Sequence, residues 1–99
     1  MNEEKTAGMI GLAVRSRQVS TGMEACRILV RTSNCGVMLL DQDTGPNTRK
    51  KAEELCIQAG APIRVLPPGT IEKATGKSNK IIAVQKGSIA EQILKLTEG

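Results

Sequence analysis

The side chains able to do chemistry gather in a few short stretches. These are Thr21-Gly22-Met23-Glu24 with Arg27, Asp41-Gln42-Asp43, Gly76-Lys77-Ser78, and the cysteines Cys26, Cys35 and Cys56. Asp41 and Asp43 follow an apolar run, and two carboxylates so placed are a candidate Mg²⁺ site. As a helix–loop–helix calcium site the stretch fails, because Ala52 stands where the bidentate glutamate belongs. The simpler reading is that Asp43 or Thr44 caps the helix that follows. Gly76-Lys77-Ser78 matches the end of a phosphate-binding GxxxxGK[ST] loop, but Ile71 occupies the place of the first glycine. A helix is also expected before this loop and a strand after it, so no helix N-terminus faces a phosphate there. Histidine is absent, which removes Ser–His and Cys–His nucleophile pairs and histidine metal sites. The cysteines are odd in number and lack CxxC spacing, so they read as small buried hydrophobes in a reducing compartment. A thiol enzyme would need one of them exposed and activated. No catalytic residue, metal or cofactor is expected.

Thr21 and Glu24 have the spacing of a capping box, with Thr21 as N-cap. Beyond them Glu24, Arg27 and Arg31 share one polar arc of a helix ending near Arg31, and Met23, Ala25, Cys26, Leu29 and Val30 fill the rest. Ile28 falls at the border, so the helix is expected to be mostly buried. Glu24 and Arg27 have two readings, a capping acid with a solvated arginine or a pair that binds a ligand. The net charge is +4, from 14 basic and 10 acidic residues, which favours an anionic partner weakly. Aromatic residues make up 0% of the chain, which removes the stacking platforms common in single-strand RNA binders. Any contact to nucleic acid must use charge, backbone amides and base edges.

The elements that must hold these stretches follow from the apolar pattern. Gly36–Lys51 organises the chain: Val37-Met38-Leu39-Leu40 reads as a strand covered on both faces. Thr44-Gly45-Pro46 ends it and starts a helix whose core stripe is Ala52, Leu55, Cys56 and Ala59. Ahead of it, Lys5–Arg15 forms an amphipathic helix with Ala7, Ile10, Gly11 and Val14 inward, and Val19 marks a very short strand. After Gly60-Ala61-Pro62, Ile63–Leu66 alternates as a half-covered strand. Pro67-Pro68-Gly69 is a turn, Thr70–Thr75 a short helix, Gly76–Lys80 a polar loop and Ile81–Val84 a second fully covered strand. Ser88 and Glu91 form another capping box, opening a last helix with Ile89, Ile93 and Leu96 inward. Strands covered on both faces by alternating helices imply an α/β fold, a single-domain α/β/α three-layer sandwich with a small mixed sheet. The 99 residues suffice for one core with about two-thirds of the surface buried. No apolar run approaches membrane-spanning length and the N-terminus lacks a basic n-region, so a cytoplasmic protein without a membrane partner is expected.

In order along the chain stand Gly11-Leu12-Ala13-Val14-Arg15, Thr21-Gly22-Met23-Glu24, Val37–Leu40, Asp43, Asn47-Thr48-Arg49-Lys50-Lys51, Ala61-Pro62 and Gly76-Lys77-Ser78. Together they resemble the large-subunit ribosomal protein seven-Ae/thirty-e family, nearest its small bacterial members that bind kink-turn RNA. The likeness runs from about Gly11 to Leu94. It implies an α/β/α sandwich, one RNA-binding domain over residues 1–99, and structured RNA as partner: a kink-turn, ribosomal RNA among the candidates, with no DNA expected. It further implies a binding surface built from Arg17, Gln18, Thr21, Gly22, Met23, Glu24 and Arg27, from Asp43 and Asn47, and from Lys77, Ser78, Asn79 and Lys80. Free N–H groups of Gly22 and Met23 would meet phosphate, and Glu24 would read guanine edges of sheared G·A pairs. Relatives usually carry lysine where this chain has Gln18 and Ile28. The rival expectation is a protein–protein interaction module on the same fold, marked by an exposed aliphatic patch centred on Ile28.

Overall fold

The structure, a computed structural model, describes residues 1–98. The apolar run around Val37–Leu40 forms β2 (Cys35–Asp41), a central strand. It pairs antiparallel with β4 (Ile81–Gln85) and parallel with β3 (Ile63–Leu66), while β1 (Val19–Thr21) completes the sheet antiparallel to β4, giving the order β1-β4-β2-β3. The sheet is therefore mixed, as expected.

Alternation along the strands sends side chains into two separate cores. Val37, Leu39, Ile82 and Val84 face α1 (Glu3–Arg15), α4 (Thr70–Thr75) and α5 (Ser88–Leu96), and they meet Ile10, Ile71 and Ile93 there. Met38, Leu40, Ile81 and Ala83 face α2 (Met23–Arg31) and α3 (Pro46–Ala59), meeting Cys26, Val30, Ala52 and Cys56. Both faces are thus covered, and the uninterrupted apolar runs of β2 and β4 are explained. Without aromatic rings the layers close tightly. A Cβ on Gly36 would lie 2.5 Å from the Ala90 Cβ and 2.9 Å from the Gln85 carbonyl oxygen, so α5 rests directly on the backbone of β2. The β2–β4 register shifts at this point, between Cys35 and Val37.

Several local expectations are corrected. Neither capping box forms. Thr21 is the last residue of β1, and Gly22 takes the N-cap of α2 with no side-chain cap. Gly87, rather than Ser88, caps α5. Pairing with β4 holds Thr21 in the strand, opposite Ile82, and outbids a local side-chain bond. Gly45 caps α3, so Asp43 and Thr44 are free for other partners. Val14 is exposed and Ala13 is buried instead, and Ala59 is exposed at the end of α3. In α2 only Cys26 and Val30 are buried, and Ile28 is 63% exposed, so this helix is less covered than its apolar content suggested. Among the described residues no helix is long and apolar enough to cross a membrane.

Burial also decides the thiols. Cys26, Cys35 and Cys56 are all free and buried. Desolvation pushes Cys26 up to about 12 and Cys35 up to about 11, and raises Cys56 as well. A thiol that stays protonated is a poor nucleophile, so the exposed, activated cysteine of a thiol enzyme is not present among them. In the native protein at pH 8, a thiol reagent is expected to react with all three at least ~100-fold more slowly than with free cysteine, and fast once urea is added. Mass spectrometry of the adducts checks this. One adduct formed natively at the free-cysteine rate would contradict the burial argument.

Candidate RNA-binding edge

Strand directions bring distant segments to one end of the sheet. β1, β2 and β3 all finish at the end where β4 begins, since Thr21 pairs with Ile82, Leu40 with Ile81 and Asp41 with Leu66. The N-terminus of α2, the loop from Asp41 to Gly45 and the loop Gly76–Lys80 therefore line the same edge. The Gly22 N–H donates to the Ile81 carbonyl at 3.0 Å, and the Asp41 N–H donates to the Lys80 carbonyl at 2.8 Å. These two bonds flank the start of β4 and tie the three segments together.

At the α2 end, Gly22 has φ 86° and ψ 158°, a conformation open essentially to glycine alone. Its N–H is already bonded to Ile81, which corrects the expectation that it is free. The open donors are those of the first helical turn, Met23, Glu24 and Ala25, which helix geometry leaves without intrahelical partners and which no side chain caps. Glu24 is exposed and pairs with Arg27 one turn on, whose side chain is 28% exposed. Arg27 also lines a shallow groove of about 170 Å³ between α2 and α3, with Arg31 and Lys51 and the acid Glu54. Sequence reading did not place Lys51 beside Arg27; only the packing of α2 on α3 does.

At the other loops, Asp43, Asn47, Lys77, Ser78 and Lys80 are exposed and Asn79 is half-buried. Thr75 shapes the turn into Gly76–Lys80, its hydroxyl donating to the Ile71 carbonyl at 2.9 Å and the Lys77 N–H approaching it at 3.3 Å. Asp41 is 3% exposed, and its carboxylate accepts from the Asp43 N–H at 2.7 Å and the Gly69 N–H at 3.0 Å. The Lys80 Nζ lies 3.8 Å away. Desolvation acts to raise the Asp41 pKa, but the two amides and Lys80 more than offset it and hold the carboxyl below its ordinary value. Among the described residues no group of three or more His, Cys, Asp or Glu side chains is placed to hold a metal. Asp41 is thus spoken for by backbone and lysine, a role that the sequence hinted at only by an acid closing an apolar run.

Arg17 and Gln18 are not brought to this edge. They precede β1, and the Gln18 carbonyl accepts from the Gln85 N–H at 2.9 Å at the far end of the pairing. From Gln18 to Gly22 an extended chain covers about 13 Å. Arg17, at φ 57°, instead takes the left-handed position that ends α1, where glycine is usual. A cavity of about 330 Å³ also lies at this far end, lined by Val30, Cys35, Pro62, Ala90 and Leu94 among others, away from Gly22 and Lys77.

The strand order, the five helices split between two faces and the convergent loops form the fold that the resemblance implied, and the resemblance read from the sequence is borne out. The chain is 25% identical over 99 residues to RNA-binding protein YlxQ of Enterococcus faecium, covering 99% of this chain and 96% of that one. A solved structure of a protein with unknown function from Bacillus halodurans superposes with a TM-score of 0.89 at 27% identity, over 96% of this chain and 98% of that one. The Giardia lamblia 15.5kD RNA binding protein shares the fold at a TM-score of 0.81 and 10% identity, over 98% of this chain and 88% of that one. No family model matches the chain.

Proposed function

We propose that residues 1–99 form one RNA-binding domain that recognises a kinked, structured RNA, of the kink-turn kind, without catalysing a reaction. The observation that carries this is the meeting of an uncapped helix N-terminus, an exposed acceptor at Glu24 and the cations Lys77 and Lys80 on one sheet edge. Donors without partners attract phosphate, a carboxylate takes the paired donors of a guanine edge, and the lysines add charge without sequence preference. The similarity to an RNA-binding protein over the full chain supports the same reading. Ribosomal RNA is a natural source of such a kink, and a cytoplasmic location goes with that partner. The interaction-module reading has less behind it. Ile28 is the large apolar side chain exposed on α2, while the other exposed ones among the described residues, Met1, Leu12, Val14, Ile57 and Val65, lie outside that helix.

Titration of a kink-turn RNA and a straight duplex control tests the proposal, with tighter binding of the kink expected. With phosphate contacts from Arg27, Lys77 and Lys80, log K should fall with log salt at a slope of roughly −2 to −3. Each single alanine replacement should flatten the slope by about 0.7–0.9. Replacing Arg17 should leave the slope unchanged, because it lies at the far end of β1. An affinity indifferent to salt would remove the phosphate contacts from the account.

A further inference from the structure

Asp41 sits where three connections of the chain meet, with the nearby Asp43 and Thr44 and the distant Gly69 and Lys80 as its partners. One carboxylate oxygen holds the Asp43 N–H and faces Lys80; the other holds the Gly69 N–H, ahead of α4. Its backbone is engaged as well. The Asp41 N–H donates to the Lys80 carbonyl, and its own carbonyl receives the Thr44 hydroxyl at 2.6 Å. Thr44 is itself buried, with its Oγ 3.4 Å from the Lys80 carbonyl. A buried carboxylate with both oxygens occupied is a rigid element, since releasing any partner leaves an unpaired charge out of water.

We propose that Asp41 is the positioning residue of the RNA-binding edge, fixing the loop Asp41–Gly45 against Gly76–Lys80 and aiming the Lys80 ammonium before RNA arrives. This rests on the RNA-binding reading above and adds to it the residue that pre-orders the surface. Asp41 is too buried to touch RNA. Its effect passes through Lys80, whose side chain is 54% exposed and still reaches solvent on its outer side. A loop ordered in advance pays its entropy on folding, so binding does not pay it again. Asparagine at this place keeps the shape but turns an NH₂ toward one of the two amide donors and drops the charge that aims Lys80.

The test combines Asp41→Asn with Thr44→Val, each studied with and without RNA. By nuclear magnetic resonance of the free protein, Asp41→Asn should speed hydrogen exchange at the Asp43 and Gly69 amides and loosen the amides of Gly76–Lys80, with Gly22 and α2 unchanged. Kink-turn affinity should fall roughly tenfold at a temperature where the variant is fully folded, the cost of ordering one or two side chains on binding. Thr44→Val, which takes a hydroxyl from the Asp41 and Lys80 carbonyls and leaves the carboxylate in place, should loosen the amides of 41–45 and 76–80 but not that of Gly69, and weaken binding in the same direction. In an Asp41→Asn background, Lys80→Met should cost less affinity than it does in the parent, because Lys80 is no longer aimed. A variant that loses urea stability but keeps its loop amides ordered and its RNA affinity intact overturns the proposal. If the parent binds no kinked RNA while the amide changes occur as described, the RNA reading fails and the loop-fixing role stands. Should Asp41→Asn not fold, Thr44→Val and the Lys80→Met single variant carry the same comparison.

Discussion

Replacing Gly22 by alanine is expected to lower stability by about 1–3 kcal/mol and to weaken RNA binding in the molecules that remain folded. Nothing lies within 4 Å of a Cβ built on Gly22, so the penalty comes from backbone strain and not from a clash. At φ 86° and ψ 158° an L side chain is strained whatever the space around it. Relief by rotation to negative φ would swing the Gly22 N–H off the Ile81 carbonyl and tilt the first turn of α2 away from β4. Urea midpoints and RNA titration on the same samples measure both effects. A chemically assembled chain with D-alanine at this position separates them. The D residue suits positive φ and should recover the stability, while its methyl group still stands on the surface where an RNA backbone would approach. L-Alanine at parental stability would contradict the strain argument; D-alanine at parental affinity would show that nothing approaches Gly22 closely.

Glu24→Gln is expected to leave stability within about 0.5 kcal/mol of the parent while weakening kink-turn binding by about 1–3 kcal/mol, the scale of one bidentate base contact. As a capping acid Glu24 would have carried part of the stability of α2. In the structure it caps nothing and pairs only with Arg27 on an exposed surface, where such pairs contribute little. The removal of the capping role makes the experiment cleaner, since Glu24→Ala should also fold as well as the parent to within a few tenths of a kcal/mol. A guanine edge presents two donors side by side, and a carboxylate meets both. The glutamine amide meets one and sets its NH₂ against the other. Straight duplex RNA should bind both variants like the parent, because phosphate contacts do not involve Glu24. Should Glu24→Gln bind the kinked RNA as tightly as the parent does, Glu24 reads no base.

The layers were legible in the amino-acid pattern. Uninterrupted apolar runs at Val37–Leu40 and Ile81–Val84, bounded by turn residues, read as strands covered twice, and the amphipathic segments between them supplied the helices. Composition also determined what the chemistry lacks, since a chain with no histidine and no aromatic ring has few ways to grip a ligand apart from amides, carboxylates and cations. The local ends of helices were legible in kind but not in detail. Thr21 and Ser88 each had a cap's spacing, yet pairing with β4 held Thr21 in the strand, where ladder hydrogen bonds outweigh one local side-chain bond, and α5 starts from Gly87 instead of Ser88. Which motifs meet depends on how the strands pair. Arg17 and Gln18 lie only a few residues from Gly22, but an extended strand carries them to the opposite end of the pairing. Asp41 and Lys80 are far apart in the chain and become neighbours because β2 and β4 run antiparallel, with Leu40 beside Ile81. Periodicity reports which face a residue takes; register and strand direction decide its company, and those are fixed by long-range pairing that no local spacing encodes.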